Sequence, residues 1–232
     1  MGYYGYYDPT YGLMIIAFIL TLIAQLMVKG RFARYSKAYT NMGLTGREVA
    51  ERILIANGIT NVSIRPIGAS LTDHYDPRTC SVNLSSTVYD ERSIAAVAVA
   101  AHECGHAIQH NKGYAPLSIR SSLVPVANIG SKFSWICIVA GLVLGTNAML
   151  IDIGIILFSE AVLFQIVTLP VEFNASSRAL DNLKALNILN SSELSGARSM
   201  LTAAALTYVA AAASSILQLL RLILLFGGRR DD

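Results

Sequence analysis

Charge is scarce in this chain. Asp, Glu, Lys and Arg make up 14% of its 232 residues, against roughly 25% in soluble proteins. The residues are 53% hydrophobic and the mean hydropathy is +0.49. Such a composition excludes an ordinary soluble domain and points to an integral membrane protein. A basic block with interleaved aromatics is also missing, and the net charge is only +3, so nucleic acid is not an expected partner. Cysteine is nearly absent. Cys80, Cys104 and Cys137 are odd in number and widely spaced, which excludes a disulfide framework and a C-x-x-C metal clamp. No basic stretch precedes the first apolar run, so the Tyr- and Gly-rich start (MGYYGYYDPTY) does not read as a cleaved signal. Its tyrosines suit a membrane–water interface, or equally a disordered tail.

What is present is organised around residues 93–110, SIAAVAVAAHECGHAIQH. Within them His102-Glu103-Cys104-Gly105-His106 makes the pattern H-E-x-x-H. On a helix, residues four apart share one face. Both imidazoles then reach one metal ion at roughly 2.0–2.1 Å. Glu103 projects beside that ion, where it can take a proton from water activated there. The surroundings read as helical. Asp90 is the expected cap and Glu91 an acidic first-turn residue, followed by an alanine-rich run free of Pro. Gly105 leaves room for another backbone or a substrate to approach. Cys104 points away from the metal face and reads as a packing residue.

Residues 12–28 are uncharged, about the minimum for a span, and Lys29, Arg31, Arg34 and Lys37 follow. Positive charge marks the cytoplasmic side, so the N-terminus is expected outside and the next segment in the cytoplasm. In that segment residues 45–57 read as an amphipathic helix, with Thr45 and Glu48 as its capping box and Gly58 just past its end. Residues 61–66 and 80–85 read as extended, the latter with period-2 alternation. The second strand is either a half-buried strand or an edge to which a substrate peptide adds. His74, among turn residues, reads as a turn histidine or as a functional one; His110 reads as the polar end of the helix.

Apolar runs at 123–145 and 148–169 form an expected hairpin. Lys132 and Glu160 lie at matched depth within it and are expected to pair. Pro170 is expected in the first turn of a new helix, with Glu172 just behind it. A zinc hydrolase needs a third protein ligand and an open position. Glu172 reads either as that ligand or as a helix-terminal carboxylate, with Asn174 or Ser176 placed to orient a ligand histidine. Ser191 or Ser192 is the expected cap of the last helix. The run at 201–226 holds Arg221 and precedes Arg229-Arg230, so it reads as a fourth span or as an interfacial helix.

Three segments, LTDHYDPRTCSVNLSSTVYDERSIAAVAVAAHECGHAIQH, KGYAPL and LPVEFNASSRAL, resemble the YugP-like neutral zinc metallopeptidase family of bacterial membrane proteins. The resemblance covers nearly the whole chain. It implies a zinc-dependent membrane protease with His102, His106 and Glu172 as metal ligands and Glu103 as the catalytic base. A more distant similarity is to HtpX-like and prenyl-CAAX endopeptidases, which follow H-E-x-x-H with Glu-x-x-x-Asp; Ser176 stands where their Asp would be. The sequence thus predicts a mostly α integral membrane protein of the bacterial cell membrane. Three to four transmembrane helices accompany a small α+β zincin-like cytoplasmic metalloprotease domain with a short sheet.

The expected segments are an N-terminal tail and first span (1–37), a catalytic region (38–122), a transmembrane hairpin (123–169), a third-ligand helix and loop (170–200) and an apolar C-terminal helix (201–232). The expected cofactor is Zn2+, and the expected partners are the lipid bilayer and a peptide or membrane-protein substrate. Hydrolysis at the cytoplasmic face, in membrane-protein quality control, is the expected activity. Its oxyanion is expected to be stabilised by Tyr208, Arg178 or His74. The alternatives are an intramembrane zinc protease, or a non-catalytic metal-binding membrane scaffold.

Overall fold

The computed structural model describes residue 8 and residues 10–68 and 72–227. The tyrosines of residues 1–7 and the Arg229-Arg230 pair, on which two of the expectations above rest, lie outside the described residues. In chain order the elements are α1 (Tyr11–Tyr35), α2 (Gly46–Ala56), β1 (Ser63–Ile67), β2 (His74–Asp76), β3 (Ser81–Ser85), α3 (Ser86–Tyr89), α4 (Ile94–Asn111), α5 (Ala115–Val143), α6 (Ala148–Ala185) and α7 (Ser191–Phe226). Two compact units emerge. One comprises Met1–Ile23, Arg120–Val167 and Val209–Asp232; the other comprises Ala24–Ile119 and Thr168–Tyr208. Among the described residues four helices, α1, α5, α6 and α7, are long and apolar enough to cross a membrane. The chain is a mostly α membrane protein with a small α+β part, as its composition requires.

The α+β unit is built on α4. Val97, Ala98, Ala100, Ala101, Cys104 and Ala107 are all buried, so this helix is enclosed on most sides. That explains its alanines: small side chains let neighbouring helices approach an enclosed helix closely while keeping high helix propensity. The cap is Ser93, whose hydroxyl accepts from the Ala96 N–H at 3.1 Å. Asp90 is not the cap; it ends the short α3 instead. The helix cannot begin earlier, because the segment before it is held extended by the Tyr39–Ser93 bridge and the Ile94 N–H donates to the Ala38 carbonyl at 2.8 Å. The Thr45–Glu48 capping box opens α2 as its sequence implies, and Gly58 follows the helix at φ +69°.

The sheet order is β1-β3-β2, with β1 parallel and β2 antiparallel to β3. The strand at 80–85 is therefore central, not an edge, and all five residues of β3 are buried. Its polar alternate residues are satisfied locally. The Asp73 carboxylate accepts from the Ser85 N–H at 2.7 Å and from its hydroxyl at 3.0 Å, and Thr79 pairs with Ser81 at 2.8 Å. The edge strands are β1 and β2, the latter within a stretch whose turn residues hid a strand.

Two further expectations are corrected. Pro170 does not start a helix; it lies inside α6. Losing one backbone hydrogen bond costs such a helix about 3 kcal/mol, but burial of Thr168, Val171 and Glu172 around it holds the helix through the break. Neither Ser191 nor Ser192 caps α7. Asn190 does, its side-chain oxygen accepting from the Glu193 N–H at 2.9 Å while Glu193 accepts from the Asn190 N–H at 2.8 Å.

In the other unit, α5 and α6 pack closely enough that a Cβ on Gly154 would meet the Ile138 side chain at 2.5 Å. Among the described residues no ion pair joins Lys132 to Glu160; a Cβ placed on Gly130 would lie 3.8 Å from the Glu160 Cβ. Arg221 finds partners at the start of α1. Its Nε donates to the Thr10 hydroxyl at 3.1 Å, its guanidinium lies 3.8 Å from the Asp8 carboxylate, and it stacks 5.0 Å over the Tyr11 ring. A cation within an apolar helix is thereby matched with an anion and a ring.

Candidate metal centre

His102 and His106 project from one face of α4, with ring centroids 4.8 Å apart. Facing them is Glu172, from α6. The approach depends on Gly105: a Cβ there would collide with the Ala175 carbonyl oxygen, so only glycine lets α6 lie directly on α4 at this level. The Glu172 Oε2 lies 3.3 Å from His102 Nε2 and 3.6 Å from His106 Nε2. All three ligand atoms fall within 4.8 Å of one another.

Hydrogen bonds fix which nitrogen faces the cluster. Arg178 Nε, which can only donate, bonds to Asn174 Oδ1 at 2.7 Å. That oxygen also accepts from Gln109 Nε2 at 3.0 Å, and Gln109 Nε2 donates as well to the Val171 carbonyl at 2.8 Å. With its amide nitrogen so committed, Gln109 presents its oxygen to His106 Nδ1 at 3.0 Å. Nδ1 must carry the proton there, leaving the Nε2 lone pair aimed at Glu172. Ser176 is 3.2 Å from His102 Nδ1, on the side away from Glu172.

The donors fit a divalent cation. Two imidazole nitrogens and a carboxylate oxygen are the donor types that suit zinc. Glu172 is 2% exposed, Glu103 7% and His106 8%. Two carboxylates so deeply buried need positive charge nearby. Burial disfavours a charged His106, yet the facing Glu172 carboxylate and the Glu103 charge outweigh it and raise its pKa above the usual histidine value. The pocket thus has a negative field suited to a cation.

Glu103 lies beside the cluster with its Oε2 accepting from the backbone N–H of Tyr75 at 3.0 Å. That N–H comes from the free edge of β2. The Tyr75 hydroxyl in turn pairs with His110 Nδ1 at 2.7 Å, pinning the strand to α4. A cavity of about 280 Å³ opens beside these groups, with His102, Glu103 and Tyr208 in its wall.

The other sequence candidates fall outside the cluster. His74 uses Nδ1 on the Thr72 carbonyl at 2.8 Å and Nε2 on Asn83 at 3.3 Å, so it is a sheet residue. Arg178 anchors the Asn174–Gln109 relay. Cys104 is fully buried, which pushes its thiol pKa well up, and its sulfur donates to the Ala50 carbonyl at 3.6 Å. Of the two residues proposed to orient a histidine, Ser176 reaches one directly and Asn174 acts through Gln109. Gln109 itself was not singled out from sequence, although its position three residues after His106 on the same helix face was the available signal.

Residues 10–227 match the family model described as "putative neutral zinc metallopeptidase". The chain belongs to this neutral zinc metallopeptidase family. Among its relatives is the Bacillus subtilis (strain 168) protein named "Putative membrane protease YugP", 47% identical over 220 residues that cover 95% of this chain and 97% of that protein. No solved structure matches the chain. Ser176, which stands where HtpX-like endopeptidases carry Asp, places its hydroxyl beside His102 Nδ1.

Proposed function

We propose that this chain is a zinc-dependent, membrane-anchored endopeptidase that hydrolyses peptide bonds at the cytoplasmic face of the membrane. The observation that carries the reading is the convergence of His102, His106 and Glu172 on one point, with buried Glu103 beside them. His102, His106 and Glu172 hold the metal, with Ser176 and Gln109 orienting the two rings. Bound zinc supplies Lewis acidity toward water and a peptide carbonyl. Glu103 accepts the proton of the attacking water and returns it to the leaving amine. The Tyr75 N–H keeps the Glu103 carboxylate aligned. Tyr208, which lines the cavity with His102 and Glu103, is the candidate donor to the developing oxyanion.

Lys29, Arg31 and Arg34 at the end of α1 support a cytoplasmic site by the positive-inside rule. Membrane proteins and unfolded segments near the surface are the fitting substrates, in a quality-control role. The helix carrying the two histidines is not one of the four apolar enough to span, which favours a site outside lipid over an intramembrane one. A buried carboxylate beside the cluster is what catalysis needs and a metal-binding scaffold does not.

Purified protein tests this. Wild type should hold about one zinc per chain and cleave an unfolded test protein. Glu103→Gln should keep its zinc and lose cleavage, whereas Glu172→Ala should lose both. Unchanged cleavage by the Glu103→Gln variant would end the protease reading. A reporter fused at each terminus tests the orientation.

A further inference from the structure

The cavity beside His102 and Glu103 has a character of its own. Its walls are mainly apolar: Phe32 from α1, Val99 from α4, and Met200, Leu201 and Ala204 from α7. One cation, Lys29, and two anions, Asp73 and Glu103, also line it, and Asp73 is already engaged by Ser85. Lys29 offsets Asp73 and leaves the Glu103 carboxylate as the excess charge, so the cavity disfavours acidic groups while its walls offer mainly apolar contact. Its volume of about 280 Å³ lies at the lower limit of pockets for whole small molecules, roughly 300–1,000 Å³. The size suits one bulky side chain. Because His102 and Glu103 form part of the wall, whatever enters is held against the groups that would act on a peptide bond.

We infer that this cavity is the specificity pocket of the enzyme and takes a large apolar side chain, leucine to phenylalanine in size, next to the bond that is cut. The inference rests on the endopeptidase reading. A substrate segment can lower one such side chain between α4, α1 and α7, where His102 and Glu103 form part of the same wall. Acidic side chains lose hydration there and meet an excess of negative charge, and alanine leaves the walls unfilled. Peptides with bulky apolar residues, as found where a membrane segment ends or a core is exposed, are thereby selected over polar ones. Ala204 lines the pocket from α7, and Val99 lines it from α4.

The test uses the full chain in detergent, zinc-loaded and carrying Glu103→Gln so that peptide persists. The probes are fluorescent Gly/Ser peptides with one variable residue: Phe, Leu, Ala or Asp. Phe and Leu peptides should bind about 10- to 100-fold tighter than the Ala peptide, the range a filled apolar pocket supplies, and the Asp peptide weakest. Adding Ala204→Phe should remove or invert that preference, and adding Val99→Ala should move it toward a Trp peptide. Zinc content identifies folded variants. Binding of Phe and Ala peptides within twofold of each other, or a preference untouched by both cavity variants, overturns the pocket. In a parallel arm the unmutated chain is given the same peptides. Cleavage without side-chain preference sinks the pocket alone. Preferential binding without cleavage supports the pocket and sinks the endopeptidase reading.

Discussion

Arg178 sets the tautomer of His106, although two side chains separate them. The guanidinium fixes Asn174, Asn174 fixes the Gln109 amide, and Gln109 leaves His106 no choice but to donate from Nδ1. Breaking the relay at its centre should be felt at the metal. Gln109→Leu is expected to weaken zinc binding about 10- to 100-fold, the usual effect of removing a partner that orients a ligand histidine. Competition against a chelator reads this directly, and Arg178→Ala should show a smaller loss in the same assay.

Gly105 is where α6 reaches α4. A methyl group there has nowhere to go, because the obstacle is the Ala175 backbone carbonyl and not a movable side chain. Gly105→Ala should cost about 1–3 kcal/mol of stability, the usual penalty of overpacking, and should lower zinc per chain because Glu172 moves away. Thermal unfolding and metal analysis test the two effects, and a variant with both at wild-type level would show that the helices tolerate separation.

Tyr75 joins the free strand to the helix of the site. Its N–H holds Glu103 and its hydroxyl holds His110. Tyr75→Phe keeps the first contact and loses the second, so β2 is less firmly positioned. The expected result is a kcat reduced several-fold with zinc content unchanged. His110→Ala should reproduce it, and the double variant should be no worse than either single one.

Acid should weaken the start of α2. The Glu48 carboxyl is held below the usual range by the Thr45 backbone N–H and then by the Thr45 hydroxyl. A depressed folded-state pKa contributes stability above the unfolded value, about 4.3, and that contribution disappears as pH falls through the folded value. Glu48→Gln should therefore lower Tm at pH 7 by about 2 °C, in proportion to a modest capping loss, and should match wild type more closely near pH 3.

The parts legible in the sequence were those carried by local rules. The capping box at Thr45, the four apolar helices, and the two histidines four residues apart follow from spacing alone. Misread positions were those decided by distant contacts. Asp90 is a better cap by type than by place, because the Tyr39–Ser93 bridge sets where α4 starts. Pro170 breaks a helix in isolation but not one buried on both sides of it. The strand at 80–85 alternates like a half-exposed one, yet the loop carrying Asp73 and Thr79 folds over its polar face. Gln109 carries no motif, and its role exists only because α6 brings Val171 and Asn174 to it. Lys132 and Glu160 matched in depth, but depth along two helices does not fix the facing direction.

The carboxylate that faces His102 and His106 comes from beyond the α5–α6 hairpin. Along the chain the histidine helix comes first, and Glu172 follows only after α5 and the apolar first part of α6. A half-made chain therefore carries the paired imidazoles without their acidic counterpart. The three donors meet only once α6 has packed against α4, so the cluster is a property of the finished fold and of no shorter stretch of the chain.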